Sequence, residues 1–476
     1  TGVQTCALPI LGKTQNVVGT GALQPIPAIR PPVSADRKLL ATGNLIRGLV
    51  VLSPNQNELQ EMSLEGEVQL LEQAGNGNKG DPRLKICGDQ LQLTRPTRFD
   101  AKAVVSGRPA IVRNDQFDLE GPLIEFDRGQ NRVAVDGGGQ LTVPVATAGV
   151  GLGSFNLLGR GRSQAQMIEK SGPAEPLVIV WQGRMNFDGQ VARFVDRVQT
   201  SSEGVSLQAG LLDCIFTQPV DFNKLQGSIP SQQTDIAQIK CGDGVQISST
   251  SEVDGNLESR EKLFARDLFF DRLTGDVLGT GPGRLTSTRR GEGVLPMGAP
   301  SLPGQEFQRQ PAVSNPSKSA GVTFLGVDFQ RGFTGNMNQM QMEFQQRVET
   351  IWGPVETWES ILDLHDPKGL DESSIAVTSD TLGIGQAPSV PGARGRSVEL
   401  SAGGNVLVEG DSFTARSARL SFSEAKDLLV FEGDGRSDAQ LFRQDRVGGP
   451  TSSASAGKIL YWRKHNRVEV KDARYL

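Results

Sequence analysis

Along most of the chain apolar side chains fall at every second position, and no stretch longer than about twelve residues carries them at the i, i+3, i+4, i+7 spacing of a helix face. An alternation of period two turns one side of an extended strand toward an apolar interior and the other toward water, so it restricts the chain to an all-β fold. Glycine supplies the punctuation. It accounts for 57 of 476 residues, against a usual share of roughly 7%, and it recurs every eight to twelve residues or so, the spacing of short strands and turns.

The clearest hairpin runs Leu123-Ile-Glu-Phe126, turn Asp127-Arg-Gly-Gln130, then Asn131-Arg-Val-Ala-Val135. Ile124, Phe126, Val133 and Val135 share one face, Glu125 and Arg132 take the other, and Gly129 is expected to supply a positive φ. The same plan of strand, polar turn and strand recurs in 268–279, 418–433 and 458–470. A longer repeat is visible too: Phe194-Val-Asp-Arg-Val-Gln-Thr200 matches Phe344-Gln-Gln-Arg-Val-Glu-Thr350, Leu212-Asp213 matches Leu362-Asp363, and Cys87-Gly-Asp89 matches Cys241-Gly-Asp243. One two-stranded unit cannot bury its own apolar face, so such repetition implies units stacked on copies of themselves.

Gly/Pro/Ser-rich stretches at 146–176, 291–321 and 385–397 interrupt the alternation and read as loops or disordered insertions. The expected organisation is a disordered segment over 1–40, a first β-repeat unit over 41–225, a second over 226–350 with an insertion near 291–321, and a third over 351–476. Thr1 to Ile10 match nothing that follows and read as a remnant on a truncated chain from which a signal peptide has been lost.

Chemistry is sparse. The formal charge of -5 arises from 49 basic and 54 acidic residues that are interspersed, which speaks against a nucleic-acid partner. No apolar run approaches the roughly 18 to 20 residues of a helical membrane span. Only two histidines occur, His365 and His465, and both read as surface residues, so no catalytic residue, no metal and no cofactor is expected. Gly279-Thr-Gly-Pro-Gly283 and Asp136-Gly-Gly-Gly139 complete no phosphate-binding motif and read as turns. Glu432-Gly-Asp-Gly-Arg-Ser-Asp438 places oxygen ligands in a loop, yet it too reads as a turn. Acidic residues alternating with apolar ones read as a solvated sheet face; a carboxylate pair formed in space stays open. Cys6, Cys87, Cys214 and Cys241 read as buried thiols, with a Cys87 to Cys241 bridge open in an oxidising compartment.

Residues 86–143 carry a resemblance. They read Ile86-Cys-Gly-Asp-Gln-Leu-Gln-Leu93, Ala103-Val-Val-Ser-Gly-Arg-Pro-Ala110, Leu119-Glu-Gly-Pro-Leu-Ile-Glu-Phe-Asp127 and Val133-Ala-Val-Asp-Gly-Gly-Gly-Gln-Leu141. Gly403-Gly-Asn-Val-Leu-Val-Glu-Gly410 and Ala418-Arg-Leu-Ser-Phe422 add a second copy within 398–476. In this order the motifs resemble the OstA-like family, the organic-solvent-tolerance and lipopolysaccharide-transport periplasmic proteins. The resemblance implies repeated antiparallel hairpins stacked into an open, elongated β-jellyroll of two facing sheets, in the periplasm or cell envelope. It implies binding of lipopolysaccharide or a similar lipid, passed between inner and outer membrane, and end-to-end strand addition to other such domains. Acyl chains would lie in an apolar trough lined by Ile124, Phe126, Val133 and Val135 and, by repeat alignment, Phe187, Phe194, Phe344, Phe422 and Val430. Ala134, Ala192 and Ala209 lean toward a groove. The alternative is a β-repeat structural or surface scaffold with a packed interior and no ligand.

Overall fold

The computed structural model describes residues 4–7, 37–52, 57–74, 84–96, 98–114, 117–143, 176–202, 204–219, 236–253, 255–290, 321–365, 370, 374–386, 398–410, 413–423, 426, 428–444, 449–462 and 467–473. The expected insertions, apart from their end residues, lie outside this set, as do most of 1–40 and His465. Described residues within Thr1–Val145, Pro176–Val198 and Phe216–Thr234 form one compact unit, and those within Gln199–Ile215 and Asp235–Leu476 a second. The extended elements are all strands, and every described register is antiparallel.

Unit 1 contains β1 (Gln4–Ala7), β2 (Arg37–Gly43), β3 (Leu45–Leu52), β4 (Asn57–Ala74), β5 (Leu84–Thr94), β6 (Lys102–Asn114), β7 (Asp118–Asp127), β8 (Arg132–Asp136), β9 (Gly139–Val143), β10 (Leu177–Trp181), β11 (Arg184–Phe187) and the part of β12 (Val191–Ser202) up to Val198. Its long strands each serve two walls. β4 pairs with β3 through its first half and with β2 through its second, and β7 pairs with β8 and β9 in the same divided way.

In unit 2 lie β13 (Val205–Phe216, to Ile215), β14 (Ile236–Gly242), β15 (Val245–Val253), β16 (Asn256–Ala265), β17 (Asp267–Asp271), β18 (Asp276–Thr280), β19 (Gly283–Arg290), β20 (Val322–Phe329), β21 (Gly332–Asn336) and β22 (Gln341–Val355). These are followed by β23 (Ile375–Gln386), β24 (Val398–Gly410), β25 (Phe413–Ser423), β26 (Leu428–Glu432), β27 (Ala439–Gln444), β28 (Thr451–Ala456), β29 (Lys458–Trp462) and β30 (Arg467–Lys471).

The open jellyroll is not what forms. Pairing runs β13–β15–β16–β19–β20–β22–β21–β18–β17–β14 and back to β13, a closed antiparallel barrel of ten strands with the remaining strands outside the ring. Closure follows from strand length. β22 gives Gln341–Gln345 to β21 and Glu349–Val355 to β20, so it belongs to both walls and leaves no seam on its side. β13 does the same opposite, pairing with β15 through Val205–Gln208 and with β14 beyond.

Strands change wall at a recurring corner made of two successive residues in the left-handed region. These are Gly66-Glu67 (φ 74, 47), Asp196-Arg197 (71, 45), Gln346-Arg347 (66, 49) and Gly404-Asn405 (74, 48). Such a pair acts as a bulge: the register jumps from Glu65 to Val68, from Gln345 to Val348 and from Gly403 to Val406. Facing three of these corners, a short link between two short strands donates amides to the bent strand. Asn44 N bonds Gly66 O at 3.0 Å, Gln182 N bonds Asp196 O at 2.8 Å, and Gln330 N bonds Gln346 O at 3.1 Å. The matching heptapeptides 194–200 and 344–350 are therefore two copies of the corner.

Turn chemistry differs at one expected point. In the β7–β8 hairpin the residue with positive φ is Asn131 (52), not Gly129. Asn tolerates this conformation, and Asp127 Oδ1 accepts the Gln130 amide at 3.0 Å to close the turn. Beyond Glu432, Asp434 Oδ1 accepts the amides of Arg436 and Ser437 at 2.8 and 2.7 Å, so its carboxylate organises the loop.

Candidate functional site

Six of the nine expected lining residues come together on one wall of unit 1. Registers align Ile46, Leu64, Leu91, Val105, Ile124, Val135, Met185 and Phe194 in a row across β3, β4, β5, β6, β7, β8, β11 and β12. The adjacent row holds Met62, Leu93, Ala103, Phe126, Val133, Phe187 and Ala192. On the other wall, Ala41, Leu70, Ile86, Val112, Leu119, Leu141 and Ile179 make an equivalent row. Sequence reasoning missed Met185 and Trp181, although both keep the parity of their neighbours.

The two walls meet at the corner. Trp181 packs on Phe194 with ring centroids 5.2 Å apart and donates Nε1–H to Gly137 O at 3.1 Å. A Cβ on Gly139 would come within 2.6 Å of the Trp181 ring, so glycine there admits the indole. Farther from the corner the rows loosen: Phe126, Ala103, Leu141 and Val143 are only half-buried, whereas Ile124, Val133, Val135, Phe187 and Phe194 are buried.

Phe344 belongs to the barrel of unit 2, where it is buried in a trio with Phe329 and Phe333, centroids 5.4 to 5.8 Å apart. Phe422 is buried on β25. Val430 is not on that face. The cross-strand partner of Phe422 is Leu429, so Leu429 and Phe431 are buried while Val430 lies half-exposed on the opposite side; a one-residue slip exchanges the faces of a strand. Ala192 and Ala209 lie inward, but Ala134 is on the outward face.

The barrel wall also carries a polar patch. On β16, Ser259, Glu261, Leu263 and Ala265 all point inward, and the registers place Ser249 and Ser287 beside Glu261. Arg289 Nη2 donates to Glu261 Oε1 at 2.7 Å and its Nε to Ser287 Oγ at 3.0 Å. Glu261 is 2% exposed, and its second oxygen, Oε2, has no hydrogen-bond partner; neither has Nε1 of buried Trp352. Reading every alternating acid as solvated fails here, and parity with Leu263 and Ala265 was the signal.

The outer face of unit 2 behaves differently. Burial, reinforced by the neighbouring Glu349 and Asp363 and opposed by Arg284, pushes the Asp328 carboxyl above its usual range, and exposed His365 meets Glu349 at 3.1 Å. Among the described residues no group of three or more His, Cys, Asp or Glu is disposed to hold a metal ion. Cys87, Cys214 and Cys241 are free thiols, the first half-buried and the others buried. Burial, with a contribution from Asp213, pushes the Cys214 thiol up to about 12, and burial raises Cys241 as well. No family model and no curated protein matches the chain.

Proposed function

We propose that the chain is a non-enzymatic lipid-handling protein of the cell envelope, taking the acyl chains of lipopolysaccharide or a similar lipid and passing it between inner and outer membrane. The observation that carries this reading is the pair of apolar walls in unit 1, one running from β3 to β12 and the other from β2 to β10, packed at the corner and loosening to half-buried Phe126 and Leu141. An alkyl chain laid along such rows gains about 0.8 kcal/mol per buried methylene, with no side-chain chemistry required. Strand β3 supports the expected partner, a further β-domain joined by strand addition. It pairs with β4 alone among the described strands and exposes Leu49 (56%) and Leu52 (76%), and an exposed apolar edge is a template for another strand.

The scaffold reading is favoured by one set of contacts, the Phe329–Phe333–Phe344 trio packed together beside the corner in the barrel of unit 2. A photo-crosslinking residue separates the two. At Phe126 it is expected to capture lipid and at Glu125, on the opposite face, to capture none; equal labelling at both positions, or none at either, leaves the scaffold.

A further inference from the structure

The inner wall of the barrel is apolar next to the corner and polar two rows away. Gly283 and Phe329 pair first, then Leu285 and Val327, then Ser287 and Leu325, then Arg289 and Thr323. Within that gradient Glu261 is held by a single oxygen. Its Oε1 accepts from Arg289, while Oε2 is buried, inward-facing and unpartnered. Leaving a buried acceptor unmade costs about 1 to 3 kcal/mol, more when it is charged, so this oxygen is a standing site for a donor. Arg289, at 23% exposure, spends Nε on Ser287 and Nη2 on Glu261; among the described residues its Nη1 makes no hydrogen bond. An acceptor and a donor carried by one ion pair, flanked by Ser249 and Ser259, complement a group that both donates and accepts at neighbouring positions.

We propose that the Glu261–Arg289 pair is a recognition site for the hydroxyl groups of a saccharide headgroup, the alkyl chain of the same amphiphile running along the barrel's own wall toward Leu285 and Val327. The proposal rests on the lipid-handling reading and adds to it a headgroup class and a place. Glu261 Oε2 accepts a hydrogen bond from one hydroxyl, Arg289 Nη1 donates to a neighbouring hydroxyl oxygen, and Trp352 Nε1 offers a further donor on the same wall.

The test compares two probes with the same twelve-carbon chain, dodecyl maltoside and dodecyldimethylamine oxide, titrated calorimetrically into the full chain below their micellar concentrations. Hydrogen bonds to a charged pair predict about tenfold tighter binding of the maltoside. In the double variant Glu261→Leu with Arg289→Leu, which removes both charges together, the preference is expected to vanish while amine oxide affinity stays. Ser287→Ala, a milder change, is expected to reduce the preference partway. Equal affinity of the two probes for the wild type, or an undiminished preference in the folded double variant, overturns the assignment and leaves lipid handling standing. If neither probe binds the wild type, lipid handling fails and the headgroup site with it.

Discussion

The pair β9–β10 in unit 1 and the pair β19–β20 in unit 2 occupy the same place beside their corners, and their registers can be read against each other. Gly139 faces Trp181 where Gly283 faces Phe329, and each glycine lies under the ring of its partner. Next come Leu141 with Ile179 and Leu285 with Val327. At the third pair they part: Val143 and Leu177 stay apolar, while Ser287 and Leu325 begin the polar patch of Glu261 and Arg289. The corner is thus a packing device common to both units, and the residues two rows beyond it are where the units differ in chemistry. The wall of unit 1 is apolar at this level, whereas that of unit 2 carries the carboxylate, guanidinium and hydroxyl on which the proposed headgroup site rests.

If the corner is one device, emptying it costs the same in both units. Trp181→Ala and Phe329→Ala are each expected to destabilise by about 4 kcal/mol, read as a fall in the urea midpoint; a large loss from one and a negligible loss from the other breaks the equivalence. The polar row is tested next. Arg289→Ala strands a buried carboxylate and is expected to cost about 3 kcal/mol, whereas the double leucine replacement of Glu261 and Arg289 is expected to be close to neutral, and a double variant as unstable as the single one would show that the wall needs the charges for its fold. Gly139→Ala and Gly283→Ala push a methyl into the rings and are each expected to cost about 2 kcal/mol, with both measured in the same urea titrations. The smallest effect is kinetic. Site-resolved mass spectrometry after alkylation is expected to find half-buried Cys87 modified before buried Cys214 and Cys241, because burial holds those two as thiols; equal rates would mean that the barrel interior opens as readily as unit 1.

Much of this was legible in the alternation. Period two gave the strands, and the face shared by Ile124, Phe126, Val133 and Val135 is a face of the folded chain because one short hairpin carries all four. The heptapeptide repeat marked the corners, although nothing in Asp196-Arg197 or Gln346-Arg347 announces left-handed backbone as glycine would. Val430 went astray because its parity was carried through an alignment of repeats, and a single residue reverses a strand. Closure was not readable at all. It depends on β13 and β22 lending their halves to different walls, a long-range pairing that local periodicity does not encode. Glu261 was readable from parity, but its meaning emerged only once Ser287 and Arg289 were seen beside it.

The central claim is that apolar walls in this molecule take an amphiphile, and native mass spectrometry of the full chain after mild extraction tests it most directly. The expected spectrum shows the chain carrying an added mass that organic solvent removes and that fragments as an acylated species; a spectrum of the bare chain alone, from protein kept folded throughout, would contradict the account.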